Sequence, residues 1–243
     1  MPSVRQMLRS VLDVLMPTSC PLCGCDVVCV GDVFKLCDDC ESQVATVSRY
    51  CRRCSAAVGP FVETRHGCRY CRRDRFAFAG VFSAAEYRGI VRSAVLRAKR
   101  VTGGPAAAWL ADRLWERRGP ELAALPIDFV VPVPQHWTRR LVAPHNTAEL
   151  IARRLASRLK SPLDVHRLTK VRRTPPQASL SPTARRANLR QAFIAAPFSP
   201  EHRILLVDDV LTTGTTADRA SRVLLDAGAG TVWVAAAARG IGA

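Results

Sequence analysis

Eight of the ten cysteines in this 243-residue chain stand in four C-x2-C pairs: Cys20/Cys23, Cys37/Cys40, Cys51/Cys54 and Cys68/Cys71. Two thiolates three positions apart reach one tetrahedral metal ion across a tight turn, so four pairs make two complete zinc sites. A displacement of 31 residues carries the first two pairs onto the last two, which makes the segment a tandem repeat of C-x2-C-x13-C-x2-C. Repetition favours each unit closing its own site, as consecutive zinc ribbons do; the alternative is an interleaved pairing that uses the first and third pairs together. Cys25 and Cys29 fall outside the repeat and read as free thiols. A closed four-thiolate site stabilises a segment too short to build a core, and its expected role is structural.

The cysteine segment does not account for the charge of the chain. Lys plus Arg number 36 against 20 Asp plus Glu, a surplus of +16 that points to anionic partners such as phosphate esters or nucleic acid. Residues 1–75 carry 11 basic and 8 acidic side chains, and their +3 becomes −1 once eight thiolates and two Zn²⁺ are counted. Leu150–Pro200, by contrast, holds 11 Lys or Arg and the single acid Asp164. Its centre is too rich in Pro, Ser and Thr for one regular element. It reads as a long lid able to close over an anionic substrate, or as a solvated basic loop. No run of 18 apolar residues exists, so no transmembrane helix is expected. The stripe Val4, Leu8, Val11, Leu12 and Leu15 is broken by Arg5, Arg9 and Asp13, which argues for a short amphipathic helix docked on the body rather than a signal peptide or, as the alternative, a peripheral membrane anchor. The expected location is the cytoplasm.

With 48% hydrophobic residues the chain can bury a sizeable core. Beyond about residue 75, strand-like and helix-like segments alternate, which predicts an α/β fold: a mostly parallel sheet with helices on both faces, preceded by the small tandem zinc-ribbon-like module. The division falls into residues 1–75 and 76–243. Strands are expected near Ala79–Ala84, Asp128–Val133, Arg203–Val207 and Thr231–Ala236, and helices over Gly89–Lys99, Ala106–Arg117, Thr147–Leu159 and Thr215–Ala227. The third helix has a clear start signal in Asn146 with Glu149 three residues on. Ile204 to Thr216, ILLVDDVLTTGTT, is the most informative segment. A buried strand ends in two carboxylates, and a Thr/Gly turn then leads into a helix whose amino terminus faces the same crevice. Such a site suits a phosphorylated sugar, with Asp208 and Asp209 accepting hydrogen bonds from vicinal ribose hydroxyls and Thr213–Thr216 surrounding a phosphate.

This thirteen-residue segment resembles, at every position, the phosphoribosyl pyrophosphate (PRPP) motif of type I phosphoribosyltransferases. VVPVP at Val130–Pro134 is similar to the loop of the same fold that contacts pyrophosphate. The cysteine-pair module, V-P-V-P, Thr174–Gln177, Arg185–Asn188, Ala192–Phe193 and the PRPP motif together resemble the ComF family of competence-associated proteins. Many family members have R-G-F-N where this chain has Ala143, Pro144, His145 and Asn146, so only the Asn is kept, with Arg139 or Arg140 as substitutes for the Arg.

The resemblance implies a phosphoribosyltransferase, a glycosyltransferase of pentosyl groups in nucleoside metabolism, which displaces pyrophosphate with Mg²⁺ bound alongside PRPP. Asp208 and Asp209 are the implied catalytic pair. Thr212, Thr213, Gly214, Thr215 and Thr216 take the 5′-phosphate, and Val131, Pro132, Val133, Pro134, Arg172, Arg173, Gln177, Arg185 and Arg186 take the pyrophosphate side. The alternative is a non-catalytic cytoplasmic protein that binds single-stranded DNA, keeps the PRPP pocket as a ligand site and works with the DNA-uptake machinery. Its aromatic residues, only 6% of the chain, do not interleave with the arginines as a stacking platform would.

Overall fold

The computed structural model describes residues 19–27, 34–45, 47, 49–135, 145–171 and 192–241. In chain order these form α1 (Asp38–Ser42), β1 (Val81–Glu86), α2 (Gly89–Ala98), α3 (Gly104–Ala123), β2 (Phe129–Pro132), α4 (Thr147–Leu159), β3 (Leu168–Lys170), β4 (Phe193–Ala195), β5 (Arg203–Leu211), α5 (Thr215–Asp226) and β6 (Thr231–Arg239). The expected amino-terminal helix, Cys29, Arg139, Arg140, Ala143, Pro144 and the lid residues Arg172, Arg173, Gln177, Arg185 and Arg186 lie outside the described residues.

A strand that is apolar on both faces must be covered on both faces, and β5 dictates that arrangement. Ile204, Leu205, Leu206 and Val207 are all fully buried, each contributing roughly 1.5–3 kcal/mol of transfer free energy. Leu205 and Val207 face a layer of α2, α3 and α4, whose core includes Val95, Leu110, Leu114, Ile151 and Leu155. Ile204 and Leu206 face the opposite layer, made by Ala217, Ala220 and Leu224 of α5 with Leu168 and Phe193 of the antiparallel hairpin β3–β4. The four strands β1-β6-β5-β2 are parallel throughout, as the alternating sequence pattern predicts.

Val130 of β2 also forms a parallel bridge to Leu163 on its outer side, so the chain leaves β2 through α4 in one direction and leaves β5 through α5 in the other. The carboxyl ends of β2 and β5 therefore flank a switch point, where an open α/β sheet leaves a crevice for ligands.

Several boundaries differ from the sequence expectation, each for a tertiary reason. β5 continues past Val207 to Leu211 because β6 pairs with it as far as Leu211↔Arg239, so the acidic pair lies within the strand and not beyond it. The same pairing extends β6 three residues past Ala236. β1 is shifted to Val81–Glu86 by its register with Val234–Arg239. The helix expected over Ala106–Arg117 runs from Gly104 to Ala123, starting on Pro105 and passing Pro120 near its end. α4 has the expected limits, since Asn146 accepts the Ala148 N–H at 3.2 Å and Lys160 closes the helix in the left-handed conformation.

The cysteine segment packs on this body at two places. Cys20, Leu36, Cys40 and Val44 join the core under α2 and α3, with Arg97 donating to the Leu22 carbonyl at 2.8 Å. Further along, Tyr50 donates to the Ala84 carbonyl at 2.8 Å, and the Ser55 hydroxyl accepts the Ser83 N–H at 2.9 Å. Those two contacts occupy main-chain groups of β1, the edge strand, and so cover a surface that would otherwise template pairing with another chain.

Asn146 also donates to the Val133 carbonyl at 2.9 Å, joining the VPVP loop to the start of α4. Asn146→Ala removes a helix cap and leaves that carbonyl without its donor. We expect a loss of about 1–3 kcal/mol in denaturant unfolding, whereas a change within about 0.5 kcal/mol would contradict this account of the cap.

Candidate functional site

The cysteines form two separate groups, Cys20/Cys23/Cys37/Cys40 and Cys51/Cys54/Cys68/Cys71, with the sulfurs of each group lying within 4.8 Å of one another. The sequential arrangement is therefore the one adopted. The backbone repeats with the sulfurs: antiparallel bridges Ser19↔Asp26 and Tyr50↔Ala57 close the first knuckle of each unit, again 31 residues apart. In both, the first cysteine's carbonyl accepts from four residues on, Gly24 N–H in one and Ser55 N–H in the other.

A sulfur tetrahedron around Zn²⁺ with Zn–S of about 2.3 Å has edges of about 3.8 Å. The distances Cys54–Cys68 at 3.7 Å, Cys51–Cys71 at 3.8 Å and Cys23–Cys37 at 3.5 Å fit it. The environments differ: the second group is wholly buried, whereas Cys23 is exposed and has Cys25 at 3.3 Å.

At the carboxyl end of the sheet, β5 carries Asp208 and Asp209. The Asp209 N–H donates to Asp208 Oδ1 at 2.8 Å, and the Asp209 carboxylate pairs with Lys99 Nζ at 2.8 Å. Burial, with Asp209 beside it, pushes the Asp208 carboxyl from 3.8 to about 8. A folded-state value above the unfolded one favours the fold at low pH. That contribution is complete below about 4 and is lost as the pH rises through about 8. For Lys99, burial acts downward, but the charges of Asp209 and Asp208 outweigh it and the ammonium is held above its ordinary value.

Lys99 was not among the residues that the sequence singled out. It caps α2, and the turn that presents it is fixed from three sides. His145 Nε2 and the Thr147 hydroxyl both meet the Ala98 carbonyl, at 2.9 and 3.2 Å. Gly103 closes the turn where a Cβ would lie 2.5 Å from the Arg97 and Ala98 oxygens. The departure from R-G-F-N thus places a histidine where it steadies the lysine that reaches the acidic pair. One signal was available: Lys99 is one of four lysines among 36 basic residues.

β5 leads through Thr212 and Thr213 into α5. Gly214 is left-handed at φ +80°, and a Cβ there would meet Phe76 Cε1 at 3.2 Å, so the position demands glycine. The Thr213 and Thr215 hydroxyls lie 2.8 Å apart, and the amino terminus of α5 opens at the same end of the sheet as the aspartates. Across the switch point, Val133 donates its N–H to the Val207 carbonyl at 2.8 Å, which sets the VPVP loop beside β5. The structure therefore brings together Val131–Pro134, Asp208, Asp209, Thr212–Thr216 and Lys99. Two carboxylates, one ammonium, four threonine hydroxyls and a helix amino terminus suit a ligand with vicinal hydroxyls and a phosphate.

No helix among the described residues is long and apolar enough to cross a membrane. Residues 138–241 match the family model described as the phosphoribosyl transferase domain. The chain is 30% identical over 241 residues to DNA utilization protein YhgH of Salmonella typhi, covering 90% of this chain and 92% of that one. It is 33% identical over 146 residues to the protein of the same name from Escherichia coli K12, 58% of this chain and 53% of that one. It is also 35% identical over 100 residues to Competence protein F of Haemophilus influenzae, 40% and 44% of the two chains.

Metal analysis of protein purified without added metal is expected to give about two equivalents of zinc. A chelator should remove them in two phases, the faster one matching alkylation of Cys23. A single phase would contradict the difference in burial as its cause.

Proposed function

The chain belongs to the ComF family, and we propose that it binds PRPP at the switch point and transfers the phosphoribosyl group with release of pyrophosphate. The acidic pair on β5, ion-paired to Lys99 and followed by a Thr/Gly turn into α5, carries this reading. Asp208 and Asp209 accept the ribose hydroxyls, and the turn from Thr212 to Thr216 holds the 5′-phosphate. In the transfer, the bond from the sugar C1 to pyrophosphate breaks with its electron pair leaving on oxygen, and a nucleophilic acceptor closes the new bond to C1. Positive charge builds on the sugar between these events, and carboxylates beside it favour that state. Carboxylate oxygens are hard donors of the kind Mg²⁺ takes, and the ion, when bound with PRPP, neutralises pyrophosphate charge. The VPVP loop supplies further surroundings for the pyrophosphate.

The names of the relatives, DNA utilization protein and Competence protein F, favour a second reading: single-stranded DNA as a partner, bound through the Leu150–Pro200 surplus of basic residues. Under it, replacing Arg172, Arg173, Arg185 and Arg186 together should flatten the log–log salt dependence of DNA binding by roughly two to three units, and PRPP should compete. An unchanged slope with no competition would assign those arginines to the sugar phosphate alone.

For the main reading, D208N/D209N is expected to abolish PRPP binding in titration calorimetry while circular dichroism stays native. Ribose hydroxyls bond more strongly to an ionised carboxylate, so with the Asp208 carboxyl pushed up to about 8, binding at neutral pH should expel a proton. Affinity should rise with pH up to about 8, calorimetry in buffers of different ionisation enthalpy should register the proton, and D208N alone should remove both effects. Binding that persists unchanged in the double variant would place the ligand elsewhere.

A further inference from the structure

Arg239 is the last residue of β6 and is only 5% exposed. Among the described residues its guanidinium bonds four main-chain carbonyl oxygens and no carboxylate. Nε donates to Cys54 at 2.9 Å and Nη1 to Leu211 at 3.0 Å, with Thr212 and Gly240 as the other two acceptors. One side chain thus joins the metal knuckle of the second four-cysteine group to the first residues of the turn that follows the acidic pair. Burying a permanent charge is costly, and the oriented carbonyl dipoles, together with the net negative charge of the metal-bound thiolates behind Cys54, offset that cost only while they are held in place.

A second connection runs in parallel. Phe76, five residues after Cys71, lies against Gly214 and stacks on Phe78 with centroids 4.6 Å apart. Next to it, the Ala77 N–H donates to Asp218 Oδ1 at 2.7 Å, and Arg222 donates to the Arg75 carbonyl at 2.9 Å. The Cys51–Cys54 knuckle is therefore linked to the turn through Arg239, and the segment that follows Cys71 is bonded to α5 and lies against Gly214. The first four-cysteine group touches α2 and α3 instead.

We propose that Arg239 is a positioning residue through which metal bound by the second four-cysteine group sets the conformation of Leu211–Gly214, and so the affinity of that turn for a sugar 5′-phosphate. The proposal rests on the reading of this turn as the phosphate site. With Cys51, Cys54, Cys68 and Cys71 drawn to one ion, the Cys54 carbonyl is fixed and the guanidinium is clamped between it and Leu211 and Thr212. Without the ion the knuckle relaxes, one end of the clamp is freed, and the phosphate-binding amides lose their alignment.

The test uses the metal-loaded full chain as wild type, Arg239→Lys and Arg239→Met. It measures zinc content, titration with ribose 5-phosphate, titration with Mg²⁺-pyrophosphate as a ligand of the VPVP side, and amide hydrogen exchange over residues 211–216. The expected result for Arg239→Met is retained zinc, ribose 5-phosphate affinity lowered about 10-fold or more, pyrophosphate affinity within about twofold, and faster exchange of the turn. Arg239→Lys, which keeps the charge but not the fork, should fall between. Chelation of wild-type zinc should reproduce the faster exchange of the turn and have a smaller added effect in Arg239→Met, where only the connection through Phe76 and Ala77 is left.

Unchanged ribose 5-phosphate affinity and exchange in a zinc-loaded Arg239→Met would overturn the proposal. Equal loss of both ligands, or loss of zinc from the variant, would also overturn it, since the residue would then be a general prop. If Arg239→Met does not fold, Arg239→Lys carries the same comparison. If the wild type does not bind ribose 5-phosphate, it is the phosphate-site reading that fails, while the exchange measurement still decides whether metal and turn are linked through Arg239.

Discussion

The parallel pairing of β5 with β6 is the constraint on which the rest of the structure depends. β5 is buried on both faces, so its main-chain groups have no solvent to bond and must find strands on both sides. β6 fills one side over nine residues, with Asp208 opposite Ala236 and Leu211 opposite Arg239. That register fixes how far β5 stays extended, and hence where the chain is released into the Thr/Gly turn. It also brings Arg239 level with that turn. A slip of one residue would reverse every side chain of β5 between the two layers and take Asp209 away from Lys99.

The local electrostatics oppose those of the whole molecule. A chain of net +16 draws anions over long distances, while the crevice at the switch point holds two carboxylates and one ammonium. Adjacent carboxylates cannot both ionise cheaply in a partly buried place: Lys99 pairs with Asp209, and the Asp208 carboxyl is pushed up to about 8. A ligand that brings hydroxyl donors or a cation relieves the same conflict. The site is in this sense prepared for a charge pattern that it does not itself complete.

The features legible in the sequence were those fixed by neighbours along the chain. The C-x2-C spacing is a local geometry, and the two knuckles repeat with the same 31-residue period as the cysteines. α4 was bounded correctly because Asn146 caps it locally. The PRPP-like segment declared its strand, its acids and its turn within thirteen residues. What stayed hidden was fixed across the fold. β5 ran four residues further than its apolar stretch because β6 supplied partners. Lys99 reached Asp209 from a position 110 residues earlier, through a turn that His145 and Thr147 hold from another helix. Arg239 lay beyond the expected end of its strand at Ala236, and only the tertiary structure shows Cys54 and Leu211 on either side of it.

The order of the strands carries a consequence for how such a chain is made. β1 is the first strand of the sheet to be synthesised, yet its neighbour in the sheet is β6, about 150 residues later. Contacts of such long sequence separation form slowly, and a strand edge left waiting is where a growing chain sticks to its own kind. The segment made just before β1 already holds the remedy, because Tyr50 and Ser55 occupy the Ala84 carbonyl and the Ser83 N–H. A metal ion taken up early by Cys51, Cys54, Cys68 and Cys71 would fold that segment before the sheet exists. It would then act as an intramolecular chaperone for the strand that waits longest.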